Sequence, residues 1–184
     1  STDGVSAIHN KSSSSYNPDR DGYRNDSLSG SLAVRPTSGH EIGINFLASD
    51  GTSRYDSTPK ARDFKSDQDV AAYSIYSRNK LHQNWTSTVR LGRSTDDLTT
   101  LRSGTKLSEF NTTQDQFSWQ NDIKLPLGTA LLAAEYLRQT VDGTTSYTED
   151  ERTIRSLLAG WTAGIDNHRL QFNLRRDDNS QFGG

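Results

Sequence analysis

The chain has 184 residues, enough for one domain with a sizeable core, yet only 30% of them are hydrophobic and the mean hydropathy is -0.83. The formal net charge is only -2, so the polarity comes from Ser, Thr, Asn, Gln and balanced ions, which denies a nucleic-acid partner the basic face it would need. With no cysteine there are no disulfides, no thiol catalysis and no Cys-ligated zinc, and no apolar run approaches the roughly 18 residues of a membrane helix.

Residues 1–6 read as the end of a strand, and residues 7–20 as a polar loop containing the run Ser12-Ser13-Ser14-Ser15. From Asn17 to Ser49 the pattern sharpens. An acidic group, Asp19-Arg20-Asp21-Gly22-Tyr23, precedes a stretch in which Leu28, Leu32 and Val34 share one parity and Ser27, Ser29, Ser31 and Arg35 the other. After a turn at Pro36-Thr37-Ser38-Gly39-His40, Ile42, Ile44, Phe46 and Ala48 alternate with Gly43, Asn45 and Ser49. Side chains change face at every residue of a strand, so this is a hairpin with one apolar and one polar face.

The rest of the chain repeats the plan. A second long polar loop is expected over 51–68. Third and fourth strands set Ala71, Tyr73 and Ile75, then Trp85, Val89 and Leu91, against polar neighbours, with a short turn over 79–83 between them. A third long loop is expected over 94–108. Phe117, Trp119 and Ile123 mark the fifth strand, Pro126-Leu127-Gly128 a tight turn, and Leu132, Ala134 and Tyr136 the sixth strand. A fourth long loop spans 142–151. The seventh strand, near 153–161, is ambiguous because Leu157 and Leu158 fall on opposite parities. A short turn at 163–167 leads to an eighth strand with Leu170, Phe172 and Leu174 on one face.

The fold class is therefore all-β: an antiparallel up-and-down meander of about eight strands. Connections alternate between long polar and short tight, as in outer-membrane barrels, whose strands need only about 9–11 residues to cross. Arg78, Arg90, Asp122 and Glu135 fall in mid-strand on the polar face, which a dry sandwich core would not take without matched partners but a wet lumen would. Tyr23, Trp85 and Tyr136, near strand ends, are expected at the lipid headgroup level. The reading is one segment, 1–184, of a transmembrane β-barrel. The competing reading is a soluble secreted β-domain for adhesion or carbohydrate binding, with Tyr16, Tyr55 and Tyr147 as stacking groups.

Candidate chemistry is sparse. Asp19 and Asp21, two residues apart and followed by Gly22, resemble the start of a calcium loop, but position twelve from Asp19 is Gly30 rather than the bidentate Glu an EF-hand needs. A calcium site would have to recruit acids from the next long loop, which holds Asp56, Asp63, Asp67 and Asp69. His9, His40, His82 and His168 have no metal-binding spacing, and no serine has an activating His beside it; no enzyme is expected. Asn10, Asn25, Asn84 and Asn111 head Asn-x-Ser/Thr triplets, of which Asn84, beside Trp85 at a strand start, reads as chance.

The closing run Arg176-Asp177-Asp178-Asn179-Ser180-Gln181-Phe182-Gly183 closely resembles a segment of the TonB-dependent outer-membrane transporters for cobalamin. Thr2-Asp3-Gly4, Asp19-Arg20-Asp21-Gly22-Tyr23 and Tyr55-Asp56 fall in the same order at compatible spacing, so the resemblance spans nearly the whole chain but only the middle of such a barrel. It implies outer-membrane localisation, surrounding lipid, a transported corrinoid, and calcium held by Asp19, Asp21, Tyr55, Asp56 and Asp67, with Asp63 or Asp69 as substitutes for Asp67. Where the family often has an Asp just after the first stretch, this chain has Ser6. No plug domain is recognised, so TonB is expected to act only through a missing plug, and the unpaired outer strands invite edge-to-edge association of copies.

Overall fold

The structure, a computed structural model, describes every residue except Asp3, Ala7, Lys60, Ala61 and Gly184, and leaves the Ile165 side chain undescribed. Asp3 of the Thr2-Asp3-Gly4 stretch thus lies outside the described residues. Eight strands run β1 (Tyr23–Thr37), β2 (His40–Tyr55), β3 (Phe64–His82), β4 (Trp85–Arg102), β5 (Thr105–Lys124), β6 (Thr129–Gly143), β7 (Glu151–Ile165) and β8 (His168–Asn179). They form one antiparallel sheet in sequence order, and no pairing joins β1 to β8 among the described residues.

Register converts the alternation into two faces. Leu32, Ile44, Ile75, Leu91, Phe117 and Tyr136 form one continuous cross-strand row, all apolar or aromatic. One residue away on each strand, Ala33, Gly43, Tyr76, Arg90, Ser118, Glu135, Ser156 and Asp177 form a row on the opposite face. On this polar face the Tyr76 hydroxyl donates to Glu41 at 3.0 Å, Arg35 Nε donates to the other Glu41 oxygen at 2.9 Å, and the Arg90 guanidinium lies 5.2 Å from the Tyr76 ring centre. Farther along, Arg175 donates to Glu135, Asp177 and Ser156. Pairs of this kind are screened by water and add little to stability, so they mark a wet surface rather than hold the fold together.

Among the described residues, no second layer covers the apolar face. Phe64 and Ala163 are the buried hydrophobic residues among those described, while Leu28, Leu32, Leu157, Phe172 and Leu174 are each more than 60% exposed. The ambiguous seventh strand resolves here: Leu157 stands on the apolar face and Leu158 on the polar one, because the Leu157↔Arg176 and Leu158↔Arg175 pairs continue the alternation.

That face is banded. At the short-turn end lies the row Trp85, Ile123, Ala130, Trp161 and Phe172. Indole N–H groups there are satisfied locally: Trp85 donates to Asn121 Oδ1, Trp119 to Ser87 Oγ and Trp161 to the Leu127 carbonyl. At the other end lies the row Phe46, Tyr73, Arg93, Asp115 and Arg138, where Arg93 grips Asp115 through two hydrogen bonds. From Trp85 to Arg93 along β4 is eight steps, roughly 26 Å at about 3.3 Å per residue.

The same register gives the tilt. His40, where β2 leaves the first turn, is in line with Asn79, Ser87, Asn121, Leu132, Ala159 and Leu174. The β7–β8 turn begins only at Ile165, six residues beyond Ala159, so the turns step down by six residues across six strands. One residue of slip per strand, about 3.3 Å against a strand spacing of about 4.8 Å, corresponds to a tilt of roughly 35° when the turns lie level. Along β4 the rise from Trp85 to Arg93 is then about 21 Å, close to the roughly 25 Å apolar belt of a membrane barrel.

Four expectations need correction. The loop expected over 94–108 is a two-residue turn, Ser103-Gly104, because β4 and β5 continue through it. The loop expected over 51–68 likewise contracts to 56–63. Beyond the apolar band both faces are polar, so strand and loop carry the same composition there and alternation disappears. The described residues of 1–6 form no strand; Thr2 makes an isolated antiparallel bridge to Tyr23. Tyr23 itself falls on the polar face, opposite Ser53, whereas Trp85 and Tyr136 stand on the apolar one.

The strand extensions carry an aligned acidic row. Asp26, Asp50, Asp69 and Asp97 are direct cross-strand partners on β1 to β4, four residues beyond the Tyr73–Arg93 level and clear of the apolar band. Like charges placed opposite one another destabilise a sheet. The Asp69 carboxyl is held above its usual range, first by a hydrogen bond shared with Asp50, then by burial and by the charges of Asp50, Asp97 and Asp67. A carboxyl with a raised native pKa binds its proton more tightly folded than unfolded, so its contribution favours the fold below that pKa and is lost as pH rises through it. Asp69→Asn should therefore raise the melting temperature at pH 7 and lessen the gain on going to pH 4, as read by thermal unfolding of variant and wild type side by side.

Candidate metal centre

Antiparallel pairing of β1 with β2 brings the entrance of one strand to the exit of the other. Tyr23 faces Ser53, and the Arg54 N–H donates to the Gly22 carbonyl at 3.0 Å. The residues just outside these strands, Asp21 before β1 and Asp56 after β2, consequently become neighbours although 35 positions separate them. Asp19 joins them from the same acidic loop: one carboxylate oxygen from each of Asp19, Asp21 and Asp56 lies within 4.8 Å of the others.

This spacing suits a hard cation. Oxygens bound at about 2.3–2.6 Å can stand up to roughly 5 Å apart across the ion. A second observation points the same way. Asp19 Oδ1 and Asp56 Oδ1 are both inaccessible to solvent, and neither has a hydrogen-bond partner among the described residues. A buried carboxylate oxygen left unsatisfied is costly, and a divalent cation would relieve two at once. The donor set is all oxygen, as calcium prefers, and the residues present fit that ion.

The other oxygen of Asp56 is fully engaged. Oδ2 accepts the Ile8 N–H at 3.0 Å and lies 3.2 Å from Ser6 Oγ. Ser6 is the position where a carboxylate was expected to be lost; its hydroxyl sits beside the Asp56 carboxylate instead. Pairing through the backbone made these partners of Asp56, and no local spacing in the sequence signals them.

The two remaining expected ligands have partners of their own. Tyr55 packs its ring against Phe64, 5.9 Å between centroids, and so anchors the exit of β2. Asp67 lies within β3, on the face that carries Tyr73 and Ile75; it accepts from Thr52 at 2.8 Å and pairs with Lys65 at 2.8 Å. Burial pushes the Asp67 carboxyl up, but Lys65 and Thr52 outweigh it and hold the group below its ordinary value. Asp67 is thus committed to its own ion pair and is not one of the three converging acids. Asp63 and Asp69 do not join them either: Asp69 belongs to the acidic row, and the Asp63 carbonyl accepts the Ser103 N–H. No histidine takes part in the cluster; His40 and His82 pair with Asn79 and Asn84 at the short-turn end.

A scan against protein-family models and a search of curated proteins both found no match to this chain.

Proposed function

We propose that this chain is a segment of a bacterial outer-membrane β-barrel of the TonB-dependent, cobalamin-transporting kind, with its strand extensions and loops outside the cell binding a corrinoid and calcium. The observation that carries the membrane reading is the exposed apolar face, which rises about 21 Å along β4 between Trp85 and Arg93 at a strand tilt of roughly 35°. Lipid is the partner that face asks for. The polar face, with its hydrated Arg–Glu–Tyr network, would line the lumen.

Calcium rests on Asp19, Asp21 and Asp56 and on the two buried, unpartnered oxygens among them. Bound there, the ion would tie the acidic loop before β1 to the exit of β2 and stiffen the corrinoid-facing end. The corrinoid rests on the likeness of the closing run and the order of the shorter stretches. A soluble β-domain would need a second layer over Leu32, Ile44, Ile75 and Leu91, and all eight strands lie in one sheet. Of its stacking groups, Tyr147 is turned edge-on to Phe110, 6.1 Å away, and Tyr55 is packed on Phe64.

The test is equilibrium binding of cyanocobalamin to outer-membrane vesicles carrying the protein. Saturable binding is expected, weakened about tenfold or more by a calcium chelator. Binding no greater than in vesicles without the protein would overturn the corrinoid assignment.

A further inference from the structure

We propose that the segment around Ser6 is a latch on the cation centre and that Ser6 is its positioning residue, so that cation binding and latch docking form one linked equilibrium. This rests on the calcium reading above.

The latch touches both walls of the centre. Thr2 exchanges backbone hydrogen bonds with Tyr23, at 2.8 and 3.1 Å, just past Asp21. The Asp21 N–H donates to the Val5 carbonyl at 3.4 Å. Gly4, at φ +63°, lies so close to the Asp21 carbonyl oxygen that a Cβ there would collide with it, so this approach requires glycine twice over. From the same short segment, Ser6 and Ile8 reach Asp56. Few of these contacts are local: they join residues far apart in the chain that have no other reason to stay together.

Ser6 is the pivot. Its Oγ lies 2.9 Å from the Asn17 carbonyl oxygen, 3.1 Å from that of Ile8 and 3.2 Å from Asp56 Oδ2. A hydroxyl has one hydrogen, so it can satisfy one of these three acceptors at a time. While the proton points to Asp56, it fixes that carboxylate with Oδ1 free for the ion. Outer partners that orient a ligating carboxylate commonly carry 10–100-fold of metal affinity.

The chain supplies its own reporter. Lys11 is exposed in the loop between the latch and Asp19, so trypsin cleavage after it reads whether that loop is held at both ends. The experiment follows this cleavage in the detergent-solubilised protein, with calcium or chelator, alongside calcium affinity from competition with terbium luminescence. In wild type, calcium is expected to slow cleavage after Lys11 about tenfold. Ser6→Ala should weaken calcium about tenfold and leave Lys11 open to trypsin even when calcium saturates the site; Ser6→Thr, which keeps the hydroxyl, should restore both. Wild-type calcium affinity and full Lys11 protection in Ser6→Ala would overturn the latch while leaving the cation centre standing. Absence of calcium and terbium binding in wild type at millimolar concentration would instead remove the centre, and the latch with it.

Discussion

Asp21→Ala and Asp56→Ala should each lower calcium affinity at least about a hundredfold, or roughly 2.7 kcal/mol, and abolish any calcium-dependent protection of the loops against protease. The size follows from the donor count. Three carboxylates converge, so one substitution removes a third of the charge that holds the ion. Asp67→Ala is the internal control. Its carboxylate is occupied by Lys65 and Thr52, so that substitution should break an exposed ion pair and change calcium affinity less than about threefold. Calcium titrations read by proteolysis near Asp19 and Asp56 check all three. Equal effects from Asp67→Ala and Asp56→Ala would mean the ion is held by a different set.

The second large effect concerns the apolar face. Val89→Arg should cost about 2–4 kcal/mol of stability in a bilayer, because Val89 stands midway between Trp85 and Arg93 on the apolar face and a cation at mid-depth has no polar partner in lipid. Gln116→Arg, beside Phe117 but on the opposite face, should cost less than about 1 kcal/mol, since it would meet water and the polar network. Urea titration of the two variants folded into vesicles gives both numbers. Equal costs at the two positions, or a larger cost at Gln116, would contradict the assignment of the two faces.

Much of this architecture was legible because the period-two signal is strong wherever one face is apolar. Ile42, Ile44 and Phe46, or Leu170, Phe172 and Leu174, allow only one assignment of faces. The signal failed where that asymmetry ends. Residues 94–102 and 105–108, rich in Thr, Asp and Ser, read as loop yet continue β4 and β5, because hydrogen bonding to neighbouring strands overrides a composition that favours neither state. The centre was partly legible for the same kind of reason. Asp19 and Asp21 are visible by spacing, and Asp56 through its place after an expected strand. The departure of Asp67 depends on register: β3 begins at Phe64, which fixes Asp67 within a strand, opposite Thr52 and on the apolar-bearing face. Ser6 and Ile8 reach Asp56 across about 50 residues of chain, a relation no local pattern encodes.

The central claim is that alternate residues face lipid and water, and the chain's lack of cysteine makes it directly measurable. Single cysteines placed in turn from Thr86 to Arg93 would carry a spin label, with accessibility to molecular oxygen and to a water-soluble nickel chelate recorded in vesicles. The account predicts a period of two: oxygen favoured at Ser87, Val89 and Leu91, the chelate at Thr88, Arg90 and Gly92. Positions 87, 89 and 91 shielded from both reagents would mean that another layer of protein covers the apolar face, and the barrel reading would be wrong.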